Sequence, residues 1–246
     1  MSISQITKNN KVKTKITVCI PVWSAHGKGV DYLEHNLNSI YSQTYKNYEV
    51  VISDHSIEDD IKKYVDLWKE IIPISYHKCE VGRGSIAPNI NNAMRHANGE
   101  YIKILYQDDF FYDEESLFSI VEYIENKKDV RWLVTGCAHT RDLETMYDPM
   151  IPKYNQNIHL GINTISAPTV LTIKNDENKL YLNESLRFLD DVEYYKRHYD
   201  KFGLPDVLDK ICVINREGGV RATSLLNQEV KEKEIKLMLE TYGQFR

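Results

Sequence analysis

The chain has 246 residues, 42% of them hydrophobic and 27% charged, with a net charge of −5 and a pI near 5.9. That length suits one α/β domain, or one domain with a small appendage, and is enough to bury a large core. The acidic balance excludes the basic footprint of a nucleic-acid binder, and no window approaches the ~18 apolar residues of a membrane span.

Residues 1–15 are polar and basic without an apolar core, so they are expected to form a flexible tail rather than a secretory signal. The apolar run 16–23 reads as a strand, and 24–29, with Gly27 and Gly29, as a loop. Over 31–45, Leu33, Leu37, Ile40 and Tyr41 fall on one helical face. A second strand over 48–53 is closed by Asp54-His55-Ser56. A helix over 59–72 turns Ile61, Tyr64, Val65, Trp68 and Ile72 inward, and a short strand covers 74–76. Residues 83–85 form a glycine-flanked loop, and 88–97 a short helix ending at Asn98-Gly99. A strand from Tyr101, a helix carrying Leu117, Ile120, Val121 and Ile124, and a strand over 130–137 follow. Strand and helix alternate, which predicts an α/β fold: a mostly parallel sheet with helices on both faces.

Beyond Thr140 the alternation weakens. Residues 142–162 read as a long polar loop over the sheet. Short strands are expected at 169–173 and 210–215, and a helix over 190–202, ended near Gly203 and Pro205. A charged helix over 228–242 has Val230, Leu237 and Met238 as its apolar stripe. The expected organisation is a tail over 1–15, one domain over 16–225 and a C-terminal helix over 226–246, packed on that domain or on a partner subunit. Cys19, Cys79, Cys137 and Cys212 form no Cys-x-x-Cys pair. They read as buried free thiols in a reducing cytoplasm.

The most informative segment is Gly99-Glu100-Tyr101-Ile102-Lys103-Ile104-Leu105-Tyr106-Gln107-Asp108-Asp109. A turn leads into a buried strand, and two carboxylates emerge at its carboxyl end, where open α/β sheets bind ligands. Adjacent carboxylates repel unless a cation or hydrogen bonds absorb the charge. A hard divalent ion, Mn2+ or Mg2+, would do so and would hold a diphosphate in turn. Read without that ion, the pair is an acidic turn capping the next helix.

The strand 16–23, the phrase Ser42-Gln43-Thr44-Tyr45-Lys46-Asn47-Tyr48-Glu49-Val50-Val51-Ile52, then Asp54, Asn91, Ala97-x-Gly99-Glu100-Tyr101-Ile102 and Asp108-Asp109 together resemble the family 2 glycosyltransferases with the GT-A fold. The likeness is strong over 16–126 and looser to 224. It implies a metal-dependent transfer, with inversion, from a nucleoside-diphosphate sugar to a hydroxyl acceptor on a glycan, a lipid-linked glycan or a glycoprotein. The resemblance assigns Asp109 as metal ligand and Asp108 as the carboxylate near the ribose. In Leu189-Asp190-Asp191-Val192-Glu193 it assigns Asp191 as general base, with Asp190 orienting it and Glu193 as the local alternative. Without the family, Asp190 and Asp191 are helix N-terminal acids favoured by the dipole.

Nucleotide contacts are expected from Val22 and Trp23 at the end of the first strand, and from Asp54, Arg83, Asn91 and Arg221. His55 departs from the family, standing where a carboxylate often reads the base, and UDP is the expected nucleotide. Glu217 is a candidate for the metal, and 163–169 for the acceptor-side loop. Two other readings are a nucleotidyltransferase, which would carry a basic glycine-rich loop after the first strand, and a non-catalytic sugar-nucleotide-binding domain. A cytoplasmic protein is expected, with peripheral membrane contact and homo-oligomerisation both compatible with the sequence.

Overall fold

The computed structural model describes residues 14–218 and 226–243. The elements run β1 (Ile16–Val22), α1 (Gly29–Tyr41), β2 (Tyr48–Asp54), α2 (Asp60–Trp68), β3 (Ile74–Lys78), α3 (Ile86–Arg95), β4 (Tyr101–Ile104), β5 (Phe110–Phe111), α4 (Ser116–Asn126), β6 (Trp132–Thr140), β7 (Tyr147–Met150), β8 (Leu171–Lys174), α5 (Asp190–Phe202), β9 (Asp206–Arg216) and α6 (Gln228–Tyr242). They build a sheet in the order β3-β2-β1-β4-β8-β6-β9-β5, with β7 added on β6.

β1, β2, β3 and β4 are mutually parallel. β1 and β4 are buried along their whole length, which is why they read as unbroken apolar runs. The second half of the sheet is mixed. β8 runs antiparallel to both β4 and β6, and β9 runs parallel to β6. Two reversals restore direction, so β6 and β9 point the same way as β1 and β4. The carboxyl ends of β1, β2, β4 and β9 and the amino end of β8 therefore share one edge. β5 and β7 interrupt stretches expected to be irregular, pairing with β9 and β6. α1 stops at Tyr41, whose ring is exposed rather than core-facing, while Leu33, Leu37 and Ile40 are fully buried. All four cysteines are free and buried.

The Gln43-Thr44-Tyr45 phrase has a mechanical role. The Gln43 amide donates to Ser39 O and Asp113 O, and its oxygen accepts from the Leu117 N–H at 2.8 Å. Thr44 N–H bonds Glu114 O, and the Tyr45 hydroxyl bonds Thr14 O. One segment thus fastens the end of α1 to the start of α4 and to the chain entering β1. Gln43→Ala should leave a buried N–H and a buried C=O unpaired and cost about 1–3 kcal/mol. Urea unfolding of the two proteins measures it, and an unchanged midpoint would refute the role.

Candidate active site

The turn after β4 is fixed from both sides. Gln107 is buried: its oxygen accepts from Trp23 N–H at 2.9 Å, and its amide donates to Trp23 O and Gly29 O at 3.0 and 2.7 Å. A Cβ at position 29 would stand 2.4 Å from Trp23 O and 3.0 Å from Gln107 Nε2, so glycine is required there. The Asn36 amide of α1 donates to the carbonyls of Tyr106 and Asp109, both at 2.8 Å. The strand ends of β1 and β4 and the first helix are thereby locked into one unit.

Asp109 is buried, and its Oδ1 accepts the Arg216 N–H from the end of β9 at 3.0 Å. Burial and the neighbouring Asp108 carboxylate push it well above the usual carboxylate range; the Arg216 amide, the Thr169 hydroxyl and the Lys103 ammonium pull it back. Lys103 is wholly buried on β4 and donates to Thr169 O and, at 3.4 Å, to Leu171 O. The Arg216 guanidinium lies 4.6 Å from the Tyr32 ring centroid. Asp108 and Tyr32, with Trp23, Ala25 and Tyr106, line a small pocket of about 60 Å³. Asp109 and Asp108 fit a divalent cation as oxygen donors, since a cation relieves the repulsion that burial magnifies. Among the described residues no cluster of three His, Cys, Asp or Glu side chains surrounds a metal position.

The second acid pair opens α5. Asp191 is half-buried; its Oδ2 accepts from the Asn163 amide at 2.8 Å and its Oδ1 from the Val192 N–H at 2.7 Å. Burial raises it to about 6, against the pull of these hydrogen bonds. Asn163 is itself rigid: its oxygen accepts from Ile165 and Ser166 N–H. Ser166 holds a left-handed φ of 91°, and its carbonyl accepts from the Tyr195 hydroxyl. Asp190 is buried with its Oδ2 unpartnered, and burial together with Asp191 raises it to about 7. Burial pushes the Tyr106 hydroxyl up, and the charges of Asp190, Asp191, Asp109 and Asp108 add to that. Glu193 is spent elsewhere: Arg197 Nε donates to both its oxygens, at 2.7 and 2.8 Å, and the Tyr242 hydroxyl donates to Oε1 at 2.9 Å.

Beside the Asp108 pocket, and sharing Pro21, Trp23 and Ile86 with it, is a chamber of about 370 Å³, also lined by His55, Asn89, Arg187, Leu226 and Val230. Of the expected nucleotide residues, Trp23 and Asp108 face this cleft. Val22 is wholly buried, its carbonyl taken by the Asn89 amide and the His55 N–H. The Asp54 carboxylate lies below the floor, accepting from Ser56 N–H, the Tyr76 hydroxyl and Lys78. Arg83 is exposed, 4.0 Å from Glu80, while the chamber takes its neighbours Gly84 and Ser85. The Asn91 amide donates to Leu182 O and Glu184. Asn89 faces the chamber instead, because two residues along a helix is about 200° of rotation. Glu217 accepts from Arg141 and the Tyr147 hydroxyl. Arg221 lies outside the described residues. Sequence reading missed Asn89, Arg216, Asn36 and the Gln107 clamp; none carries a local pattern.

The Glycosyl transferase family 2 model matches residues 17–218. An uncharacterized glycosyltransferase of Rickettsia felis is 33% identical over 103 residues, covering 42% of this chain and 16% of that protein. The fold is similar to that of Staphylococcus aureus TarS 1–349 in complex with UDP-GlcNAc: TM-score 0.71, 18% identity, 92% of this chain and 67% of that one. The mannosyltransferase PcManGT from Pyrobaculum calidifontis, in complex with GDP-Man and Mn2+, superposes with a TM-score of 0.58 at 15% identity, over 83% of this chain and 57% of that one. The chain spans 16% to 38% of the length of the Rickettsia relatives it matches. Among the described residues no helix is long and apolar enough to cross a membrane.

The raised Asp190 carboxyl has a stability consequence. Between its ordinary value of 3.8 and about 7, the native protein keeps a proton that the unfolded chain releases. Its effect is therefore to lower stability as pH rises through that window, and not below it. Asp190→Asn should gain melting temperature over wild type at pH 8 and show little difference at pH 4. Parallel curves across the range would show that the group is not proton-linked to folding.

Proposed function

The chain belongs to glycosyltransferase family 2, and from that premise we propose that it is an inverting glycosyltransferase. It moves a sugar from a UDP-sugar to a hydroxyl acceptor in glycan or polysaccharide assembly. The observation that carries this reading is two acid pairs on the elements around one cleft, Asp108-Asp109 after β4, bonded to the end of β9, and Asp190-Asp191 opening α5, beside a chamber large enough for a nucleoside. One pair suits a leaving diphosphate with its cation; the other suits an attacking hydroxyl.

Asp109, with Asp108 beside it, holds a divalent cation. Such an ion supplies electrostatic stabilisation of the leaving diphosphate. The Arg216 guanidinium, next to the same pocket, adds a second positive group for phosphate. Asp191 accepts the proton of the acceptor hydroxyl as that oxygen attacks the anomeric carbon from the side opposite the diphosphate. Asn163 and the Val192 N–H hold the carboxylate still while leaving it lone pairs for that proton. A base raised to about 6 is ionised at neutral pH yet basic enough to share the proton in the transition state. Asp191→Asn keeps the shape and should lower the transfer rate by about 10²–10⁴-fold, with nucleotide affinity retained. The wild-type rate should fall as pH drops below about 6. Near-full turnover in the variant would remove Asp191 from the mechanism.

The preference for uracil rests on His55. Its Nε2 lies 3.0 Å from the Val81 carbonyl. A carbonyl only accepts, so Nε2 carries the hydrogen and Nδ1 is an acceptor. Burial lowers the ring's basicity and keeps it neutral. An acceptor at the chamber wall matches the imino N–H of uracil, which cytosine lacks. UDP should therefore bind about tenfold more tightly than CDP, a difference of about 1.4 kcal/mol. His55→Leu should erase that preference, as read by calorimetry with and without Mn2+. A His55→Leu protein that keeps the preference would exclude His55 as the reader of the base.

A further inference from the structure

α6 reads from sequence as a charged helix with a modest apolar face, but its docking stripe is Val230, Glu234, Met238 and Tyr242, each one helical turn apart. Leu237, expected on that stripe, is exposed, whereas Glu234 is only 5% exposed. The Glu234 carboxylate accepts from three consecutive main-chain N–H groups: Arg187 at 2.8 Å, Phe188 at 2.9 Å and Leu189 at 3.0 Å. Successive amides pointing one way form an anion-binding concavity. Here the protein fills it with a side chain from 45 to 47 residues away. The next residues are Asp190 and Asp191. The negative charge of Glu234 is among those that push Asp190 up, so the two carboxylates are close in space.

The rest of the helix reaches the same machinery. At its start, Leu226, Asn227 and Val230 line the chamber beside Trp23 and His55. Near its end, the Tyr242 hydroxyl donates to Glu193 on α5, and the Gly243 carbonyl bonds the His159 ring. Thermodynamically a carboxylate near that of Asp190 is unfavourable, and an apolar residue would pack α6 without that repulsion. The three amides compensate locally, and they belong to the turn that delivers the acid pair.

We propose that Glu234 is a positioning residue for glycosyl transfer: by filling the amide concavity ahead of α5, it fixes where Asp190 and Asp191 stand. This rests on the reading of Asp191 as the general base. Glu234 itself does not line the chamber, so its loss is expected to act on turnover more than on nucleotide binding.

The test uses the full chain with Glu234→Ala and Glu234→Gln, alongside Asp191→Asn. Amide hydrogen exchange across 187–189 should accelerate at least tenfold in Glu234→Ala. The turnover number should fall by about 10- to 100-fold, the scale expected for a misplaced catalytic group, while UDP affinity and donor KM stay within twofold. Formate, which fits the vacated concavity, should restore part of the turnover to Glu234→Ala but none to Glu234→Gln, whose amide still fills the space. If Glu234→Ala fails to fold, Glu234→Gln carries the same test of turnover against KM. Unchanged exchange at 187–189, or wild-type turnover in either variant, overturns the role of Glu234. Losses of turnover and UDP affinity in equal measure, without rescue by formate, also overturn it. Full turnover in Asp191→Asn overturns the base reading instead, and the exchange measurement still decides independently whether Glu234 holds the turn.

Discussion

Asp54, Asp109 and Asp191 at this sheet edge, and Glu234 behind it, each accept at least one main-chain amide, and part of the character of the site follows from that. Asp109 takes the Arg216 N–H, Asp191 the Val192 N–H, Asp54 the Ser56 N–H, and Glu234 three amides in a row. An amide dipole holds a carboxylate in place without cancelling its charge, as a neighbouring Arg or Lys would. Lys78 offsets part of the charge of Asp54 and Lys103 part of that of Asp109, and what remains is felt strongly in a partly dry cleft. On the proposed reading, a cation beside Asp108 and Asp109 would offset what remains when an anionic diphosphate binds.

Lys103 shows the limit of that arrangement. Its ammonium is wholly buried beneath Asp109 and bonds carbonyls at the amino end of β8. Burial alone would drive it toward neutrality, and it is lowered to about 7, with Cys212, Asp109 and Cys137 favouring the charge. The lysine joins β4 to the Thr169 turn, and the Thr169 hydroxyl in turn accepts the Tyr106 N–H. The reversed strand β8 is thereby fastened to the acidic turn. A buried ammonium held by carbonyls adds little net stability compared with apolar packing, so we read it as fixing geometry.

The parallel half of the fold was legible because β1, β2 and β4 are buried almost throughout and its strands alternate with helices of clear period. Leu33, Leu37 and Ile40, or Ile61, Val65 and Trp68, declare their inner face directly. β8 looked the same as a parallel strand, since strand direction leaves no mark on a four-residue segment, Leu171-Thr172-Ile173-Lys174. β5, at two residues, is below any periodic signal. The acid pairs were readable as adjacent letters with a family context. Their supports were not, because they come from distant segments: Asn36 lies 73 residues from Asp109, and Arg216 lies 107 away. Choosing Asn91 rather than Asn89 shows the same limit, because sequence placed both on one short helix and only the docking of α3 on β1 and β2 says which face meets the cleft.

The C-terminal helix changes how the domain's boundary is drawn. Reading 16–225 as the working unit leaves out Val230 at the chamber wall and Glu234 under the acid pair. A helix with so small an apolar stripe would be a weak addition if burial alone held it, at about 25 cal/mol per Å² of apolar surface. Its polar anchors make its position specific instead: each fits one partner, and each partner lies on α5, on the turn before it or on the Ile158–Leu160 turn beside it. The cleft is consequently walled on one side by the strand ends of the parallel sheet and on the other by a helix from the far end of the chain. Placing the acid pair at the start of α5, between these walls, lets one short turn answer to both.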